Sequence, residues 1–213
     1  RSEDWVTPFT DTHLKEIDTA LAHLRSLKKG RSADFGQADF PLDTLAGELR
    51  DQLETLERGR GFIMLRGLPV DRYDLEDLTS IYWGLGTYLG DGIYQNAQGD
   101  LVGHVTDHGH KFEGDDPYKY NIRAYTTTVS IPPHTDSCDL VGLLCVRPAQ
   151  SGGQSAVVSS TALYNEFLAT RPDLLEPLYE GFYLDLVGKG TQEKELTHHP
   201  IPVFSYFGGK ISC

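Results

Sequence analysis

Residues 123–136 read Arg123-Ala124-Tyr125-Thr126-Thr127-Thr128-Val129-Ser130-Ile131-Pro132-Pro133-His134-Thr135-Asp136. β-branched and hydroxyl side chains dominate this run, as in a strand, and two prolines end it immediately before His-x-Asp. Ligands two residues apart share a strand face, and a carboxylate just beyond the strand can reach back toward the imidazole. His134 and Asp136 could therefore hold one metal ion, with a second His from a distant strand completing a 2-His-1-carboxylate set. The tripeptide alone is weak evidence, because on the order of one such spacing is expected by chance in a chain with this many His and Asp. Alternation along the strand places Thr126, Thr128 and Ser130 on the face of His134, as candidate pocket residues.

Outward from this stretch the texture divides in two. Strand-like segments follow Gly90 at 101–105, 123–131, 140–147, 154–159, 182–187 and 201–206, with Gly208-Gly209 as a hairpin turn. One helical stretch, 160–179, interrupts them. The first sixty residues read as helices. Leu14, Ile17, Leu21, Leu24 and Leu27 recur at three and four after the caps Thr10 and Asp11. Leu45, Leu49, Leu53 and Leu56 form a second stripe closed by Gly59. Residues 61–67 suit a buried strand, and Leu75, Leu78, Ile81, Tyr82 and Leu85 restore helical spacing. Helices first and strands later predict an α+β fold rather than an alternating parallel sheet.

Composition narrows the function. Nineteen Lys plus Arg stand against 31 Asp plus Glu, a formal charge of −12. That field repels a phosphate backbone, so nucleic acid is excluded as a partner. No apolar run reaches membrane-spanning length, so no membrane association is expected. The three cysteines, Cys138, Cys145 and Cys213, fit a reducing, cytoplasmic compartment rather than a disulfide framework. No Walker loop, dinucleotide fingerprint, nucleophile elbow or Cys-x-x-Cys pair is present.

Three other histidine groups compete with His134. His104, His108 and His110 could form a zinc or second metal site, but their acidic, glycine-rich surroundings read as a solvated loop. His198 and His199 precede Pro200 and would face opposite ways on a strand. His13 and His23 are expected on the surface of the first helix.

The ordered run of Gly61-Phe62-Ile63-Met64-Leu65-Arg66-Gly67-Leu68, Pro133-His134-Thr135-Asp136 and Gly152-Gly153-Gln154-Ser155 resembles the TauD/TfdA-like (taurine/2,4-D dioxygenase) branch of Fe(II)/2-oxoglutarate oxygenases. The segments 123–127, 137–145 and the helix start at Ser159-Ser160 add to it, and the likeness runs from about Asp39 onward. It implies one domain over 1–213. Helices over about 1–60 would buttress a double-stranded β-helix, or jelly-roll, core over about 61–213. By the same resemblance His134 and Asp136 are iron ligands, and Ser155 supplies a hydroxyl to a 2-oxoglutarate carboxylate. The cofactors implied are Fe(II), 2-oxoglutarate as cosubstrate and O2. The activity implied is that of an oxidoreductase, a dioxygenase hydroxylating or desaturating a small-molecule substrate. Asp136 speaks against the related halogenases, in which that carboxylate is replaced. The family's distal His and its 2-oxoglutarate-binding Arg are expected beyond Cys213, in a C-terminal part missing from this stretch, with His199 as the substitute ligand otherwise. An exposed edge at 203–206 would then favour self-association into an oligomer. The competing readings are a catalytically silent jelly roll that serves binding or structure, and a non-oxidative metal-dependent cupin.

Overall fold

The three leucine-rich stretches of the N-terminal half become helices for reasons visible in their ends. The computed structural model describes residues 4–27, 34–96, 99–109, 126–136, 138–184 and 196–213. Helix α1 (Asp11–Ser26) starts at Thr10, whose hydroxyl accepts from the His13 amide. Helix α2 (Thr44–Arg58) ends at Gly59, and α3 (Leu75–Gly86) starts at Asp74, whose carboxylate accepts from the Asp77 amide at 2.8 Å. Thr10 and Asp74 thus each satisfy one of the first-turn N–H groups that a helix leaves without partners.

Asp43, at the start of α2, makes no such cap bond. The carboxylate of Glu16 on α1 does it instead, accepting from the amides of Asp43, Thr44 and Leu45 at 3.1, 3.1 and 3.0 Å. Burial pushes the Glu16 carboxyl up, but the Leu45 and Asp43 amides and the Thr44 contacts together outweigh it and hold it below its ordinary range. One side chain thereby ties α1 to α2.

The apolar faces then pack as one cluster of Ile17, Ala20, Leu21, Leu24, Phe35, Phe40, Leu45, Leu49 and Ile81. Its rim is fixed by hydrogen bonds that aromatic side chains make to loop backbone. The Trp83 indole donates to the Phe35 carbonyl at 2.8 Å. The Tyr88 hydroxyl accepts from the Leu42 amide and donates to the Phe40 carbonyl. Gly84 lets α3 approach Phe40 so closely that an added Cβ would stand 2.5 Å from its Cδ1. Beside this cluster, β1 (Val6–Pro8) and β2 (Met64–Arg66) run parallel with Val6 opposite Met64. The segment 61–67 was expected as a buried strand; Met64–Arg66 forms one with Met64 and Arg66 exposed, and its partner near the N-terminus was not expected.

His13 corrects an expectation. It is buried, not on the surface, and both ring nitrogens are engaged. Nδ1 accepts from the Thr10 amide, and Nε2–H faces Glu48 Oε1 of α2 at 3.1 Å. His23 is exposed, as expected.

The chain divides into two compact units. One comprises residues 1–104 and 138–153, the other 105–137 and 154–213. In the second, α4 (Ser160–Thr170) begins at Ser159, whose hydroxyl accepts from the Ala162 amide at 3.2 Å. The expected helix over 160–179 is broken after Arg171, where Pro172 opens a 3-10 turn leading into α5 (Leu175–Glu180). Phe204 is the fully buried anchor of this unit, set edge-on against Tyr164 at 5.3 Å and Phe167 at 6.1 Å. The Val203 amide donates to the Leu178 carbonyl, which holds Phe204 over the helices. Phe182 bridges Ile201 in antiparallel fashion, and the hairpin of β3 (Ser205–Phe207) and β4 (Lys210–Ser212) turns on Gly208 and Gly209, both at positive φ.

The described residues thus form an α+β structure. They do not pair 101–105, 140–147, 154–159 or the described part of 123–131 into strands, contrary to expectation. β-propensity does not by itself hold a segment extended; a ladder partner must take up its backbone groups, or water does. Leu143 and Val157 accordingly lie 77% and 72% exposed. The expected strands at 123–131 and 182–187 also extend outside the described residues, as do Lys28, Lys29 and Gly30. Among the described residues no helix is long and apolar enough to cross a membrane.

Candidate metal centre

His134 and Asp136 lie on one short loop directly after the diproline 132–133. His134 Nε2 stands 3.8 Å from Asp136 Oδ1, with side chains 54% and 53% exposed. On its other side the imidazole bonds its own backbone, with Nδ1 2.9 Å from the Pro132 carbonyl oxygen. A carbonyl can only accept, so in the neutral ring this contact places the proton on Nδ1 and leaves the lone pair on Nε2. Two electron-pair donors, one neutral and one anionic, therefore converge, which is the chemistry a divalent cation requires. Two donors each about 2.1 Å from an ion and at right angles stand about 3.0 Å apart. The observed 3.8 Å is about 0.8 Å wider than that spacing, and the donor chemistry of the pair fits a shared metal.

Among the described residues no group of three or more His, Cys, Asp or Glu side chains gathers to hold an ion. His104 and His108 fall in different units, and His110 lies outside the described residues. His198 and His199 belong to the second unit, where the His199 carbonyl accepts from the Thr197 hydroxyl at 2.8 Å.

Ser155 is exposed and follows Gly152 and Gly153, whose φ values of 72° and 73° only glycine adopts without strain. A Cβ on Gly153 would also meet Ala149 at 3.1 Å. The turn that presents Ser155 thus depends on both glycines. Thr126, Thr128 and Ser130 lie on a segment with bends at 127–129, anchored where the His108 amide donates to the Thr126 carbonyl at 2.9 Å. Strict alternation, the sequence argument for placing their hydroxyls beside His134, does not hold along a bent backbone.

Sequence reasoning passed over two positions. The Pro132 carbonyl orients His134, and a backbone acceptor carries no side-chain signal in the sequence. Tyr82 on α3 donates to the Gly142 carbonyl at 2.6 Å, and burial raises its hydroxyl above the ordinary range. Gly142 allows that approach, since a Cβ there would sit 2.8 Å from the Tyr82 oxygen.

A family model, "Taurine catabolism dioxygenase TauD, TfdA family", matches residues 23–206. The chain belongs to the TauD/TfdA family. That family is built on a jelly roll and comprises non-haem iron, 2-oxoglutarate-type oxygenases. Two curated TauD/TfdA relatives are similar to the chain. "FR-33289 synthase" of Streptomyces rubellomurinus is 34% identical over 181 residues, 84% of this chain and 52% of that protein. "Taurine hydroxylase-like protein SAT17" of Stachybotrys chartarum is 31% identical over 188 residues, 86% of this chain and 48% of that protein. The chain spans about half the length of these TauD/TfdA relatives.

Proposed function

We propose that the protein is an Fe(II)- and 2-oxoglutarate-dependent oxygenase acting on a small organic molecule. For a hydroxylation, substrate R–H, 2-oxoglutarate and O2 become R–OH, succinate and CO2; desaturation removes two hydrogens and releases water instead. The observation that carries the reading is the convergence of His134 Nε2 and Asp136 Oδ1 at 3.8 Å in a TauD/TfdA chain. The names of the two relatives, a synthase and a hydroxylase-like protein, support chemistry on a small molecule.

In this reading His134 and Asp136 hold the iron, and the iron when bound supplies the redox chemistry with O2. The chain's own residues then bind and orient. The Pro132 carbonyl keeps the His134 ring turned with its Nε2 lone pair outward. The Ser155 hydroxyl, presented by the Gly152-Gly153 turn, donates to a carboxylate of 2-oxoglutarate. Thr126, Thr128 and Ser130 stay candidate substrate contacts by their place on the segment leading into His134, not by strand alternation. The fold proposed to serve this is the family's jelly roll, within one domain over 1–213.

The test is succinate formation from 2-oxoglutarate in the presence of Fe(II), ascorbate and a library of small carboxylates, sulfonates and amino acids. Substrate-stimulated succinate release supports the reading. Metal-dependent isomerisation or hydrolysis without 2-oxoglutarate consumption would replace it with the non-oxidative alternative.

A further inference from the structure

The hydrogen bond between His134 Nδ1 and the Pro132 carbonyl spans only two residues, so the backbone between them decides whether it forms. Three backbone torsions lie along that path: φ and ψ of Pro133 and φ of His134. The ring of Pro133 locks the first of these. Pro133 also lacks an N–H that could form a competing turn bond. The consequence is chemical as well as geometric. Neutral imidazole carries one ring proton that either nitrogen can hold in water. Bonding to a carbonyl commits that proton to Nδ1 and leaves Nε2, the nitrogen facing Asp136 Oδ1, as an electron-pair donor. His134 is half exposed, so water competes for Nδ1–H, and local stiffness is what biases the outcome toward the carbonyl.

We infer that Pro133 is a positioning residue: by holding the Pro132 carbonyl against His134 Nδ1, it sets the tautomer in which Nε2 is ready to bind a metal before any metal arrives. This rests on the reading of His134 as a ligand, and the two claims separate experimentally. Nitrogen-15 shifts of the His134 ring in metal-free protein at about pH 8, above the ordinary imidazole range, report the tautomer without any substitution. The expected spectrum shows a protonated Nδ1 and an unprotonated Nε2. Zinc ions, as a diamagnetic probe, should then shift the Nε2 signal. In Pro133→Ala and Pro133→Gly the two tautomers should mix, in rising order, and zinc affinity should fall about 10-fold, the lower end of what losing a ligand's orienting partner costs. An Nε2–H tautomer in the unsubstituted protein overturns the inference while leaving His134 free to be a ligand. An unchanged tautomer and unchanged zinc affinity in both variants overturn it as well. Zinc that leaves the His134 ring signals untouched refutes the ligand reading, and the inference with it.

Discussion

Replacing Glu16 should loosen the helical unit more than an ordinary surface substitution. Its carboxylate accepts three first-turn amides of α2, those of Asp43, Thr44 and Leu45. Asp43 and Thr44 are exposed, and water can take over their N–H groups; Leu45 is 2% exposed, and its amide is poorly placed to be rescued. Helix-cap losses cost about 0.5–2 kcal/mol, and bonds to a charged acceptor lie toward the upper end. Glu16→Ala is therefore expected to cost about 2 kcal/mol, and Glu16→Gln, which keeps one carbonyl oxygen, about 1 kcal/mol. For a chain of this size each kcal/mol lowers Tm by about 2–4 °C, so the alanine variant should melt about 4–8 °C lower. The effect has a pH signature. Because the folded-state carboxyl is held below its ordinary value, its stabilisation is complete above the unfolded-state pKa of about 4.3. It drains away as pH falls through the lower folded-state value. Urea denaturation of the parent protein and Glu16→Gln at neutral and acid pH measures this directly. A gap that stays constant or widens in acid, or an alanine variant as stable as the parent, would refute the capping argument.

Two further substitutions test other parts of the account. Gly84→Ala should destabilise by about 1–3 kcal/mol despite alanine's better helix propensity, because its Cβ would stand 2.5 Å from Phe40 Cδ1; a thermal melt at or above the parent's would show that Phe40 can move aside. Ser155→Ala should raise the half-saturating 2-oxoglutarate concentration about 3- to 10-fold, the worth of one hydrogen bond to an exposed carboxylate. Unchanged saturation would place the cosubstrate elsewhere.

What the sequence disclosed tracks how local the physics is. Helices α1, α2 and α3 were legible because their apolar spacing, with Thr10 before α1 and Gly59 after α2, acts within a turn or two. The Gly208-Gly209 hairpin was legible for the same reason. His13 was misread because its ring partner, Glu48, lies on another helix. The cap on α2 was invisible because Glu16 comes from α1, far from it in sequence. The break in 160–179 was signalled by Pro172, and the leucine spacing across it masked the signal. Strand candidates such as 140–147 and 154–159 carry the right residues, but pairing is a property of two segments and cannot be read from one. The closeness of His134 and Asp136 was legible because a single residue, Thr135, separates them. The Pro132 carbonyl was not, since backbone acceptors leave no mark in a side-chain pattern.

The central claim is that His134 and Asp136 together hold Fe(II) for 2-oxoglutarate chemistry. Its most direct test is the visible charge-transfer absorption that a 2-oxo acid produces with Fe(II), recorded without oxygen on the protein and on His134→Ala and Asp136→Ala. The account predicts a 2-oxoglutarate-dependent band in the parent protein and its loss in both variants. A band of undiminished intensity in either variant would contradict it.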